Sequence, residues 1–106
     1  MVNIKYLDCF RKPEKIATGG LKCFVNEDFV SKFGQIIEVR MGFVLECLSQ
    51  HFLYADLLSN NKIFSLKVKQ KDDIYVTIIN FTGKNIEFRR GDEFCIMYVT
   101  PSMYIS

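Results

Sequence analysis

Three lysines, Lys67, Lys69 and Lys71, occupy every second position in the second half of the chain. Residues two apart on a β-strand project from the same face, so the three ammonium groups are predicted to lie side by side. Such a row could bind an anion, for example a nucleotide or an acidic peptide. The alternative is a solvated strand edge, which lysines protect from pairing with another chain. The residues leave both interpretations open.

Nucleic acid is not an expected partner of this row or of the chain as a whole. The formal net charge is only +2, which is too small to attract nucleic acid by bulk electrostatics. Single-stranded nucleic acid also needs aromatic side chains on which its bases can stack, and no Tyr or Phe alternates with these lysines.

The residues that most often bind metals are scattered along the chain. Its four cysteines stand singly and it has one histidine, whereas a zinc site uses clustered ligands. We therefore predict no metal site, reduced cysteines that fill small core positions, and a histidine at the surface. The residues concerned are Cys9, Cys23, Cys47, Cys95 and His51.

Two short motifs are interpreted as structural. Arg90-Gly91-Asp92 has the letters of an integrin-binding tripeptide, but its Gly and Asp are typical of a tight turn before a strand. Asn80-Phe81-Thr82 matches a glycosylation sequon, and its position predicts the end of a central strand instead.

The composition is that of one globular domain extending over residues 1–106. Hydrophobic residues make up 49% and charged residues 25% of the chain, and no linker or repeat divides it. No run approaches the roughly 18 apolar residues of a membrane span, and no segment has the pattern of a signal peptide. We expect an intracellular protein, in the cytoplasm or nucleus, that is not associated with a membrane.

Alternation of apolar and polar residues predicts many short β-strands, as in a jelly roll or barrel. Strand signals cover residues 3–10, 21–25, 36–40, 63 onward and 74–79, the last with both faces apolar as in a central strand. Residues 43–59 are ambiguous, because their apolar positions fit a helix and a pair of strands equally well.

Several segments, in their order along the chain, resemble the trimeric dUTP pyrophosphatases (dUTPases). Residues 34–46, GQIIEVRMGFVLE, are similar to the family's G-E-x-x-x-V-x-T-G-F-x-V-E, and residues 90–98, RGDEFCIMY, to its R/K-G-D-R-I-A-Q-M/L-I. Weaker similarities at residues 12–25, 54–59 and 64–73 extend the resemblance over nearly the whole chain. It implies an all-β, dUTPase-like jelly roll or distorted β-barrel with at most one short helix. It also favours two strands and a short helical turn near residues 56–60 in the ambiguous segment.

The resemblance also shows that the family's catalytic groups are replaced. It implies a carboxylate that activates water, metal-linked acidic residues, hydroxyl, guanidinium and amide groups that hold the triphosphate, and a Tyr that packs on the deoxyribose. The matching positions here are Lys22, Asp56-Leu57, Lys67, Gln70 and Ile96, and the Gly-rich closing motif has no match. An ammonium group is not a base near neutral pH unless its pKa falls by several units. We therefore predict no enzymatic activity, no catalytic residues, no metal and no cofactor.

Two functions remain open on these grounds. The first is a non-enzymatic interaction or regulatory scaffold, with an unidentified protein partner and the threefold assembly that the resemblance implies. The second is an anion- or nucleotide-binding module whose candidate residues are Lys22, Lys67 and Lys69, because these lysines align with acidic positions of the family's pocket. Non-catalytic relatives of this fold occur in DNA viruses, so we expect a viral source and a homotrimer.

Overall fold

The chain folds into eleven β-strands among the residues that its computed structural model describes, which are 2–46, 52–58 and 62–100. These residues form no helix, so the predicted all-β fold is confirmed. The strands are β1 Asn3–Tyr6, β2 Glu14–Lys15, β3 Leu21–Phe24, β4 Phe29–Ser31, β5 Ile36–Arg40, β6 Phe43–Glu46, β7 Phe52–Leu57, β8 Ile63–Gln70, β9 Ile74–Asn80, β10 Ile86–Phe88 and β11 Glu93–Thr100.

The strands pair into four antiparallel sheets. The largest has the order β2-β3-β11-β7, the next has the order β5-β9-β8, and β1-β6 and β10-β4 form two-stranded sheets. Most neighbours in these sheets are distant in sequence, so the chain repeatedly crosses between sheets, as in a jelly roll.

Two predictions about segment boundaries were wrong. The first strand ends at Tyr6 rather than near residue 10, because the amides of Leu7 and Asp8 both donate to the carbonyl of Gly42 and turn the chain away. The short helical turn expected near residues 56–60 is absent at its start, since Asp56 and Leu57 belong to β7 and pair with β11. Residues 59–60 lie outside the described part. The ambiguous segment does form two strands, β6 and β7.

Strand β9 is central, as its sequence predicted. Ile74, Val76 and Ile78 point inward and are fully buried, and β5 and β8 flank the strand on either side. Burying three branched aliphatic side chains in this way removes enough apolar surface to contribute several kcal/mol, at about 1.5–3 kcal/mol each.

The cysteines that the structure describes are free thiols, in agreement with the prediction. Cys23 and Cys95 are buried directly opposite each other on β3 and β11. Cys9 is partly buried, and burial together with the nearby Asp73 carboxylate raises its pKa to about 11. Cys9 is therefore a protonated, unreactive thiol at neutral pH. Cys47 and His51 lie outside the described residues.

One guanidinium connects loops and strands from different sheets. Arg40, at the end of β5, contacts Asp8 at 2.6 Å, Asp73 at 2.7 Å and Glu27 at 2.9 Å. The second oxygen of the buried Asp73 accepts from the amides of Gly42 at 3.0 Å and Ile74 at 2.7 Å. Asp73 is thereby paired and hydrogen-bonded, which is the condition for burying a carboxylate without a large cost.

Two uncharged side chains complete the polar framework. Gln70 donates to the carbonyl of Leu45 and accepts from its amide, at 2.8 Å and 2.7 Å, and so links β8 to β6 as a strand would. Asn80 is fully buried at the end of β9, where it donates to the carbonyls of Ser31 and Lys84 and accepts from Thr82. These bonds fix the loop that follows β9, so the Asn80 amide is a structural group, as predicted for the sequon.

Replacing Arg40 with methionine should lower the free energy of unfolding by about 3 kcal/mol, because the buried Asp73 carboxylate loses its charged partner. Urea denaturation at pH 7 measures this change. The exposed Arg89 is the control, and Arg89→Gln should alter stability by no more than about 0.5 kcal/mol.

The loss of unfolding free energy in R40M should also depend on pH. Arg40 holds the pKa of the Asp8 carboxyl below its ordinary value of 3.8, so this pair stabilises the fold above that pH and is lost as pH falls through the lower folded pKa. The stability difference between wild type and R40M should shrink in that acid range. A difference that stays constant down to the acid limit would contradict the ion-pair account.

Candidate functional site

Three positions that the resemblance matched to different catalytic motifs lie in one row across the four-stranded sheet. Lys22 on β3 is opposite Ile96 on β11, and Ile96 is opposite Asp56 on β7. Residues directly opposite on antiparallel strands project from the same face, with about 5 Å between their Cβ atoms. The Lys22 ammonium contacts the Glu93 carboxylate at 2.5 Å. The row therefore presents a paired ammonium, an apolar side chain and a carboxylate.

The other two predicted anion-binding residues lie on a different sheet. Lys67 and Lys69 belong to β8 of the three-stranded sheet, and Lys69 contacts Glu38 on β5 at 2.7 Å. This contact lowers the pKa of Glu38, and the charges of Lys69, Lys67 and Lys71 lower it further. Lys69 therefore contacts the Glu38 carboxylate directly, and Lys67 and Lys71 act on it through their charge.

Lys67 and Lys69 share β8 of the three-stranded sheet, whereas Lys22 lies on β3 of the four-stranded sheet. Lys22 and Lys69 have separate carboxylate partners on separate sheets. A single site that uses all three ammonium groups stays a prediction.

A buried hydroxyl lies in the same row as Lys67. Thr77 on β9 is opposite Glu38 on one side and Lys67 on the other, and it is only 5% exposed. Its Oγ1 has no hydrogen-bond partner among the described residues. A buried hydroxyl without a partner is uncommon, because it loses its bonds to water without replacement. The sequence shows Thr77 only as one residue of an alternating strand, and the register is needed to place it beside Lys67.

An aromatic surface adjoins Lys22 on the four-stranded sheet. Tyr54 and Tyr98 are opposite each other and stacked, with ring centroids 5.2 Å apart, and Phe52 in the next row is 73% exposed. Gly20 permits this arrangement, because a Cβ there would lie 2.7 Å from the Tyr98 ring. The sequence analysis missed this surface, since its residues come from segments that only strand pairing brings together.

The turn before β11 is structural, as predicted. Gly91 has a φ of +92°, which favours glycine, and its amide donates to the carbonyl of Val25 at 2.8 Å. The Asp92 carboxylate accepts from the amide of Arg89 at 3.1 Å and closes the turn. The Asp92 side chain therefore serves the turn itself.

Two shallow grooves flank β4, and neither is lined by the candidate lysines. One of about 240 Å³ is lined by residues 28–30 and 87–89, and one of about 160 Å³ by residues 27–29 and 37–40. Within residues 2–46, 52–58 and 62–100, no three His, Cys, Asp or Glu side chains are grouped so that they could hold a metal ion. The same residues contain no helix with the length and apolar character of a membrane span.

Known structures with a similar fold are dUTPases. A mutant dUTPase from phage phi11 of S. aureus superposes with a TM-score of 0.75 at 11% identity, over 97% of this chain and 92% of the phage enzyme. The dUTPase from Streptococcus mutans gives 0.74 at 17% identity, with 98% of each chain covered. The dUTPase of EIAV gives 0.70 at 12% identity, over 98% of this chain and 89% of that chain.

These similarities show that the chain has the fold of the dUTPases, as the sequence resemblance predicted. No protein-family model and no curated protein sequence matches the chain.

Proposed function

We propose that this chain is a non-catalytic protein of the dUTPase fold, of viral origin, that acts inside the host cell as an interaction or regulatory scaffold. The row of Lys22, Ile96 and Asp56 carries the proposal. The resemblance implies a carboxylate, an amide and a guanidinium–hydroxyl pair at these positions. In this chain the pairing of β3, β11 and β7 aligns the three positions. Their side chains are an ammonium, an aliphatic group and a carboxylate, so none of them is the group that the resemblance implies.

The charges of the remodelled row also favour a non-catalytic role. Lys22 is paired with Glu93 at 2.5 Å, so an ion pair stands where the resemblance implies a lone carboxylate. Lys67 stands where the resemblance implies the carboxylate that orients water. Its cationic side chain cannot accept a proton from that water near neutral pH.

We expect no release of pyrophosphate from dUTP, or from other nucleoside triphosphates, when magnesium is present. The dUTPase from Streptococcus mutans, assayed under the same conditions, is the positive control. Activity that disappears in Lys67→Ala would show that this chain carries out the reaction and would overturn the proposal.

We further propose that the chain assembles as a homotrimer. Ile36, Ile79 and Phe64 form an apolar row across the outer face of the three-stranded sheet, and Phe81 packs on Phe64 with ring centroids 6.0 Å apart. The side chains of Ile36, Phe64 and Phe81 are 49–58% exposed. Clustered exposed apolar side chains on a small protein are typical of an interface.

A closed ring needs two different complementary surfaces on each chain. The aromatic surface around Phe52 and Tyr54, on the four-stranded sheet, is a candidate for the second. Packing the Phe64 surface of one copy near this face of the next would also bring Lys67 towards Lys22. The threefold order itself comes from the resemblance to the trimeric enzymes.

Light scattering at micromolar concentration should give three times the chain mass of 12.4 kDa. Phe64→Glu should shift the mass towards that of the monomer, because a carboxylate in the apolar interface would be buried without a partner. Val30→Glu is the matched control, since Val30 is 44% exposed on a different sheet and should leave the assembly intact. A wild-type protein that is monomeric throughout would refute the trimer.

A second candidate function is the binding of a small anion, which the unpartnered Thr77 hydroxyl favours. The hydroxyl lies beside Lys67, and Lys67 and Lys71 act on the Glu38 carboxylate through their charge but make no direct ion pair among the described residues. An anion with several oxygens could accept from the hydroxyl and from Lys67 together. Lys69 and Lys22 would join this site only by changing their present partners.

Titration with inorganic phosphate, followed by amide chemical shifts, tests this site. Thr77→Ser keeps a hydroxyl and should keep the response of β8 and β9, whereas Thr77→Val removes the hydroxyl and should weaken binding by about three- to tenfold, as expected for one hydrogen bond. An unchanged affinity in Thr77→Val would exclude the hydroxyl as part of an anion site.

A further inference from the structure

Three cationic side chains near the turn before β11 lie over aromatic rings. The Arg11 guanidinium is 3.7 Å from the centroid of the Phe24 ring, the Arg90 guanidinium 4.4 Å from that of Phe10, and the Lys12 ammonium 4.9 Å from that of Tyr6. Each distance is within the range of a cation–π interaction. We call the surface formed by Tyr6, Phe10, Arg11, Lys12 and Arg90 the cation–aromatic surface.

Backbone and side-chain hydrogen bonds hold this surface in place. The amide of Phe10 donates to the buried Asn26 at 2.9 Å, and Arg11 donates to the carbonyl of Gly91 at 3.1 Å. The amide of Arg90 donates to Asp28 at 2.7 Å. The loop of residues 8–12 and the turn of residues 90–92 are therefore fixed against each other, so a ligand would meet groups that are already ordered.

The positive charge of this surface is only partly neutralised. The chain has four arginines. Arg11, Arg40 and Arg89 each contact a carboxylate, whereas Arg90 has no carboxylate partner for its guanidinium among the described residues. Lys12 also makes no ion pair there. The Arg11 contact with Glu14 is long, at 3.4 Å, and exposed. A guanidinium stacked on a ring keeps its N–H edges free for a carboxylate.

We propose that the cation–aromatic surface binds an extended acidic segment of a partner protein, with carboxylates on Arg90 and Lys12 and an apolar side chain against Phe10. Phe10 is 58% exposed and the neighbouring Leu7 is 45% exposed, so apolar contact area is present beside the charges. This inference rests on the proposed scaffold function and specifies the chemistry of its partner.

The arrangement favours a peptide over single-stranded nucleic acid. Bases bind by stacking on free ring faces, and here the cations occupy faces of the Phe10, Phe24 and Tyr6 rings. Carboxylates also lie at the margin of the surface, at Glu14 and Asp28, where they would repel a continuous run of phosphates. A peptide can present two or three carboxylates at intervals and avoid this repulsion.

The experiment uses a fluorescein-labelled decapeptide of alternating glutamate and glycine, with the matching lysine–glycine peptide and decathymidylate as comparison probes. Fluorescence anisotropy should show binding of the glutamate peptide that weakens as sodium chloride is raised, because salt screens exposed charges. Arg90→Gln should weaken binding about threefold, as expected for one exposed charge pair, and the double variant with Lys12→Gln about tenfold.

Arg89→Gln is the matched control. It removes the same charge from the adjacent residue, but Arg89 is paired with Glu87 rather than stacked on Phe10. If Arg89→Gln and Arg90→Gln weaken binding of the glutamate peptide equally, only the net charge of the protein matters. That result would overturn the proposal. Amide shifts of the wild-type protein should change at residues 6–12 and 90–91, and changes confined elsewhere would also overturn it.

Tighter binding of decathymidylate than of the glutamate peptide, with the same dependence on Arg90, would replace the acidic peptide with nucleic acid as the ligand. These outcomes are independent of the dUTP assay. A chain that hydrolyses dUTP refutes the non-catalytic function, whereas a chain that is inactive and fails to bind the glutamate peptide refutes only this surface.

Discussion

The Arg40–Asp73 pair lies at one end of the three-stranded sheet, and loops that follow strands of two other sheets are tied to it. Arg40 ends β5, Asp73 precedes β9, and the guanidinium also reaches Asp8 after β1 and Glu27 after β3. Asp73 in turn holds the amide of Gly42, where the chain passes from β5 to β6. Small sheets such as β1-β6 have little hydrophobic surface of their own, so their position depends on links of this kind. Because Asp73 is buried, the cluster is also the place where a lost partner costs most.

The row of Lys22, Ile96 and Asp56 is aligned by backbone pairing rather than by its side chains. The pairing of β3, β11 and β7 sets the register that aligns Lys22, Ile96 and Asp56. This pairing consists of hydrogen bonds between backbone amides and carbonyls, which do not depend on which side chains occupy the row. Side chains on the outer face of the row contribute little to the core, so they can be exchanged at small cost in stability. A fold alone does not determine function, which must be inferred from the groups on the face.

Charge on this chain is organised by local partners rather than by one pocket. Lys22 pairs with Glu93, Lys69 pairs with Glu38, and Arg90 lies on Phe10. Each cation has a different kind of partner on a different part of the surface. The small net charge of the whole chain therefore does not describe the charge of any one surface. The outer face of the three-stranded sheet has lysines next to the apolar row that contains Phe64. The cation–aromatic surface has two arginines and one lysine over aromatic rings. Arginine and aromatic side chains are enriched in protein–protein interfaces and lysine is depleted there, so the two surfaces differ in composition.

The sequence by itself determined the local elements, because strand alternation and turn chemistry are properties of neighbouring residues. The all-β class, the central strand β9, the buried Cys23 and Cys95 and the turn at residues 90–92 all followed from it. Tertiary structure decided what depends on register between distant strands. Residues 43–46 are a strand because they pair with β1, and residues 52–57 because they pair with β11. Likewise, only strand pairing assigns Lys22 and Lys67 to different sheets and sets Thr77 opposite Lys67, since spacing along a chain carries no information about which strand will lie opposite.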